Sequence, residues 1–154
     1  MFRRNLISSS IIFALCALLL IHGTAYAEKI TSTILESGSV SWDGGSFAYP
    51  KEEPEISIQK ITVQTDGKEV IFPVHCHPVP LAGYVLKGSV KVTLKSTGKS
   101  KLFKAGDALI EVSNTWHSSV FTEDTELLVF YAGKKGLPLS VKQSDDSPFA
   151  TVCR

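Results

Sequence analysis

A surplus of either charge is missing from this chain, which carries 16 Lys and Arg against 15 Asp and Glu. That balance gives no support to a polyanionic partner such as nucleic acid, whose binding draws on clustered cations. Amphipathic helical periodicity is almost absent beyond the apolar start of the chain. Internal repeats and any sign of a second domain are missing too. Histidine is scarce, at four residues, and cysteine scarcer, at three, so each position of either kind carries weight.

What is present begins with a leader-like segment. Arg3 and Arg4 precede an unbroken apolar run from Ile11 to Ile21, and Ala25-Tyr26-Ala27 supplies a small-x-small cleavage pattern. This reads as a signal peptide over residues 1–27, with the mature chain starting at Glu28 and residing in the periplasm or outside the cell. The run is short for a membrane-spanning helix, which needs roughly 20 residues, so no stable membrane anchor is expected. Cys16 does not suit lipidation, because Leu15 stands where a small residue is required. Cleavage removes His22 and Cys16, leaving His75, His77 and His117 with Cys76 and Cys153. The two cysteines either close one long disulfide loop or stay separate; their spacing does not choose.

The rest reads as one domain of short strands punctuated by Gly, Pro and Ser, an all-β sandwich or barrel over residues 28–142. Val90, Val92 and Leu94 alternate with Ser89, Lys91, Thr93 and Lys95, giving one dry and one wet face. Ser96 to Lys99 supplies a hairpin turn, and Lys101 to Lys104 returns. Leu127 to Tyr131 is continuously apolar, as expected of a strand covered on both faces. Around Ile56 to Val63 the apolar parity slips, which predicts a bulge near Lys60. The lysines from Lys87 to Lys104 read as a solvated hairpin that discourages edge pairing. Residues 143–154 read as a loose tail unless Cys153 tethers them.

His75-Cys76-His77 ends an extended segment from Glu69. Alternate strand residues share a face, so the two histidines point together and Cys76 points away. Two such imidazoles form a ready chelate for a divalent metal. Gly83 and Gly88 follow, then Gly106-Asp107, and His117 after them. Across Pro73 to Gly133 this pattern resembles the cupin family, and in particular small single-domain bacterial cupins. His75 and His77 fall on the paired histidines of the first motif, Gly88 on its closing glycine, and Gly106, Asp107 and His117 on the second motif.

The resemblance implies a jelly-roll barrel of two antiparallel sheets with the three histidines inside its open end. It also implies a divalent metal, Fe(II) first, with Mn, Ni, Cu or Zn as alternatives. Leu81 stands where the first motif has glutamate, and Val112-Ser113-Asn114 where the second has its Pro-x-Gly turn. Asn114 can supply the left-handed conformation such a turn needs. Three imidazoles without a carboxylate resemble the iron sites of some cupin dioxygenases, which leave room for a chelating substrate and O₂. Glu111, Tyr84 and Trp116, with Leu81, are the further pocket candidates. One rival is a non-enzymatic binding or sensory cupin, whose pocket would be dry and apolar. Another is metal-free acid/base catalysis, which needs a histidine oriented by a carboxylate, with Glu111 and Asp107 nearest in sequence. The expected partner is a small molecule, and the family resemblance also admits a homodimer.

Overall fold

The computed structural model describes residues 31–154, so the leader and its cleavage site lie outside the described residues. Residues Thr33–Arg154 form one compact unit. Its elements run β1 (Pro54–Val63), β2 (Val70–Cys76), β3 (Leu81–Lys87), β4 (Ser89–Leu94), β5 (Ser100–Lys104), β6 (Ala108–Ile110), β7 (His117–Phe121), β8 (Thr125–Lys134) and β9 (Val141–Lys142). A short 3₁₀ helix, Pro148–Val152, follows. Among the described residues no helix is long and apolar enough to cross a membrane.

Two antiparallel sheets face each other, ordered β1-β8-β3-β6 and β5-β4-β7-β2-β9. This is the jelly-roll arrangement. No ladder joins β1 to β2, so the sheets do not close into a hydrogen-bonded barrel along that side. The facing surfaces enclose Val79, Val85, Val90, Val92, Phe103, Leu109, Phe121 and Val129, among others. The β4–β5 hairpin is as the alternation predicts: Gly98 takes φ +69° in its turn, and Lys101 and Lys104 lie exposed on the edge strand β5.

Gly88 shows why a motif glycine is required at the β3–β4 junction. Its φ is +71°, and a Cβ there would lie 2.4 Å from the Asp124 carbonyl oxygen and 2.6 Å from the Thr125 hydroxyl. A side chain would meet backbone on one side and strain on the other.

Two strand expectations need correction. The β1–β8 register runs without a break from Pro54↔Lys134 to Val63↔Thr125, so there is no bulge at Lys60. Ile61 and Val63 face inward, whereas Ile56 and Ile58 point outward and are 65% and 67% exposed. The parity slip thus records a strand with apolar residues on both faces, one of them wet. Likewise β8 is not covered on both sides: Leu127, Val129 and Tyr131 are buried while Leu128 and Phe130 are 41% exposed. They share the outer face with Ile56 and Ile58, since Ile58 pairs with Phe130.

The bulge exists, but in β2. Phe72 pairs with Ser119 and His75 with His117, so three steps on β2 match two on β7. Pro73 sits within the irregularity, where a missing N–H is tolerated. The extra residue switches parity, so Val70 and Phe72 before it and His75 after it all face the same cavity.

The C-terminal residues are tethered. Cys76 and Cys153 form a disulfide. The Trp116 amide donates to the Arg154 carbonyl at 2.9 Å, and the Arg154 amide donates to Asn114 at 2.9 Å. The 143–154 segment therefore closes over the turn that precedes His117.

Candidate metal centre

His75 and His117 are cross-strand partners in the β2–β7 ladder, and His77 follows one residue beyond β2. All three are buried. Ring centroids lie 4.2 Å apart for His75 and His117, 4.9 Å for His75 and His77, and 5.1 Å for His77 and His117. One nitrogen from each lies within 4.8 Å of the others, which makes the trio able to hold a metal ion.

The backbone decides which nitrogens are offered. Nδ1 of His75 lies 2.8 Å from the Pro73 carbonyl, Nδ1 of His77 2.7 Å from that of Leu139, and Nδ1 of His117 2.8 Å from that of Thr115. A carbonyl only accepts, so each Nδ1 carries the proton and donates. Each Nε2 is then left with a free lone pair, the tautomer a metal ligand needs. Burial, reinforced by His117 nearby, lowers His75 from 6.5 to about 4, with the Pro73 hydrogen bond pulling the other way. Burial and the two neighbouring imidazoles push His77 well below its ordinary value. Both rings therefore stay neutral at physiological pH, and no proton has to leave before a cation binds. The three residues fit a divalent ion on donor type, tautomer and convergence.

The histidines open into a cavity of about 330 Å³ between the sheets. Leu81 lines it, as does Glu111. The Glu111 amide donates to the Leu81 carbonyl, so the two sit side by side on β3 and the end of β6. Where the first motif would bring a carboxylate at Leu81, Glu111 brings one from the end of the neighbouring strand β6. It stands outside the ligand cluster. Its Oε1 accepts from the Trp42 indole N–H at 2.9 Å and from the Val112 amide at 2.9 Å.

Tyr84 and Trp116 do not line the cavity. Tyr84 shares parity with Ala82 and Leu86, opposite to the inward Leu81, Gly83 and Val85. Trp116 precedes the inward His117 and is held by backbone bonds to Lys95 and Arg154. Asp107 is exposed and caps the Lys104 amide, so it is not available to a histidine. With all three imidazoles oriented by carbonyls, the carboxylate-oriented histidine that acid/base catalysis requires is not found among the described residues.

Tyr131, Gln59, Phe72, Ser140 and Trp42 escaped sequence reading. Tyr131 packs 5.8 Å from His77, and its hydroxyl donates to Gln59 Oε1 at 3.3 Å. Phe72 covers His75 edge-on at 4.5 Å. Only parity along β8 pointed to Tyr131, and the bulge hid Phe72. Asn114 takes φ +56° as expected of the turn before His117, and its amide donates to the His77 carbonyl.

Residues 61–132 match the family described as "Cupin domain". A search of curated proteins found no match to the chain. Among solved structures, a cupin-2 domain protein from Shewanella frigidimarina is 14% identical, with a TM-score of 0.43 over 56% of this chain and 79% of its own. The polyketide cyclase RemF from Streptomyces resistomycificus is 21% identical, with a TM-score of 0.46 over 66% of this chain and 75% of its own. A salicylate 1,2-dioxygenase from Pseudaminobacter salicylatoxidans is 16% identical, with a TM-score of 0.42 over 50% of this chain and 21% of its own.

Proposed function

The chain belongs to the cupin superfamily, and from that premise we propose that it is an exported metal-binding cupin whose His75, His77 and His117 hold one divalent cation. The observation that carries this is the set of three Nδ1-to-carbonyl hydrogen bonds, which turn the three Nε2 atoms toward metal ligation at one end of the cavity. Fe(II) is the preferred ion, with Mn, Ni, Cu or Zn as substitutes, since imidazole ligands accept most first-row dications. In the enzymatic form the protein is a non-haem dioxygenase of a small chelating substrate. Bound there, the ion would supply Lewis-acid chemistry to a chelating substrate and O₂. The chain's own part is to keep the imidazoles in one tautomer and to exclude water. Phe72 and Tyr131 pack against His75 and His77 from either side of the site. Export through the 1–27 leader to the periplasm or beyond is supported by the Cys76–Cys153 disulfide, which suits an oxidising compartment.

A second reading, a non-enzymatic small-molecule-binding or sensory cupin, is favoured by the cavity lining. Leu81, Val90, Val92, Leu109, Phe121 and Val129 make most of it apolar, as that reading expects. Both readings are tested by elemental mass spectrometry of the purified protein beside His75→Ala/His77→Ala. Near-stoichiometric metal in the parent, lost in the variant, establishes the centre. A parent that is empty and takes up no Fe, Mn, Ni, Cu or Zn overturns it and leaves the binding protein.

A further inference from the structure

The cavity changes character along its length, and the sheet registers show how. At one level His117 lies beside His75, opposite Tyr131 and Leu81, with Glu111 next to Leu81 and His77 against Tyr131. One level further along come Ser119 and, across the bulge, Phe72 on one sheet and Gly83, Val129 and Gln59 on the other. Beyond them the lining is Ile61, Val63, Val70, Val90, Phe121 and Leu127, with no polar side chain among the six. The unbonded gap between β1 and β2 is rimmed by Ile61, Val63, Val70 and Phe72, which are partly or largely exposed while the opposite wall is buried.

At the polar end Glu111 is a buried carboxylate with no cation bonded to it among the described residues. Both protein donors, the Trp42 indole and the Val112 amide, go to Oε1. Oε2 receives none, although it belongs to a residue lining the cavity. Oε2 is not among the shielded atoms left without a partner; it is open to the cavity, so a ligand that displaces water from it must bring a donor of its own. Ser140, also in the wall, has a shielded hydroxyl without a partner. The cavity, at about 330 Å³, sits at the small end of the roughly 300–1,000 Å³ range of ligand sites.

We infer that the cavity is built for a small hydroxyl-bearing molecule with an apolar body, one ring or a short chain, whose hydroxyl donates to Glu111 and whose body lies against the apolar end. The placement of the head beside the histidines rests on the proposed metal-centre reading; the apolar body and the Glu111 contact do not.

Metal-free protein titrated with straight-chain 1-alkanols from propanol to hexanol separates the two. Affinity should rise about fourfold per added methylene. The chain has two tryptophans, so two indole N–H signals report by ¹⁵N NMR. That of Trp42 should move with saturation and that of Trp116 should not. Glu111→Gln should lower the affinity for every alkanol and shrink the Trp42 shift, because the amide keeps the oxygen that the indole uses but replaces the charged acceptor Oε2 with a donor, from which the hydroxyl can only accept. Val63→Thr, isosteric and partly exposed, should lower the gain for hexanol and spare propanol, and it serves if the first variant fails to fold. Equal affinity for propanol and hexanol, or a Trp42 signal unmoved at saturation, overturns the inference. Zinc uptake is read on the same sample. Zinc binding without a chain-length gain sinks this inference alone, and a chain-length gain without zinc binding sinks the metal reading alone.

Discussion

The pairing of each Nδ1 with a carbonyl fixes one tautomer, and burial keeps the imidazoles of His75 and His77 neutral against the pull of those same hydrogen bonds. His75 titrates at about 4 in the folded protein against an ordinary 6.5. Between those values the unfolded chain binds a proton that the folded chain refuses, so stability falls as pH drops through that window. Above pH 6.5 both states are neutral and the group contributes nothing; below about 4 the loss is complete. For His75 alone the total is about 3 kcal/mol, and His77 adds in the same direction. Urea midpoints of the metal-free protein should decline from pH 7 to pH 4. His75→Asn should show a shallower decline, which separates the imidazole from the carboxylates that also titrate near pH 4. Identical slopes in parent and variant would show that the imidazole does not set the trend.

At the level of elements, the histidine pair was legible because HxH parity survives in any extended strand, and so was the β4–β5 hairpin with its alternating valines. What surrounds the pair was not, since the irregularity at Pro73 shifts the face of everything before it in β2. Val70 and Phe72 therefore join the cavity on a parity the sequence assigns to the other side. The apolar parity slip in β1 and the continuous run in β8 misled for one reason. Ile56, Ile58, Leu128 and Phe130 are apolar without being buried, and hydropathy alone does not distinguish a wet apolar face from a dry one. Cysteine spacing left the disulfide open because its geometry depends on where the last residues return, and they return to the turn at Asn114 and Trp116. That bond spans 77 residues of sequence. Replacing both cysteines, Cys76→Ala with Cys153→Ala, should cost about 2–5 kcal/mol. It should also open the 143–154 segment to protease before the sheets unfold, as limited proteolysis followed by mass spectrometry would record. Cleavage confined to the sheets, with the C-terminal segment intact, would mean that the backbone bonds of Arg154 hold it without the disulfide.

Taken whole, the molecule converges several distant segments on one end. The three histidine side chains come from β2, from the residue after it and from β7, while the carbonyls that orient them come from Pro73, Thr115 and Leu139. The disulfide fixes the residue between His75 and His77 to the C-terminus, and Arg154 in turn holds Asn114 and Trp116 just before His117. A cation bound to the three imidazoles would therefore cross-link the same elements that the disulfide already joins, and the two restraints should be coupled rather than additive. Metal at a hundred times its dissociation constant should stabilise the folded chain by about 2.7 kcal/mol, a rise in Tm of about 10 °C for a domain of this size. Chelation should reverse it, and His75→Ala/His77→Ala should show none. In the Cys76→Ala/Cys153→Ala protein the rise at the same free metal concentration should be smaller, because a loosened turn before His117 must be ordered when the ion binds. Differential scanning calorimetry across the four combinations of disulfide and metal gives the coupling directly. Equal rises with and without the disulfide would mean that the β2–β7 ladder alone positions the ligands.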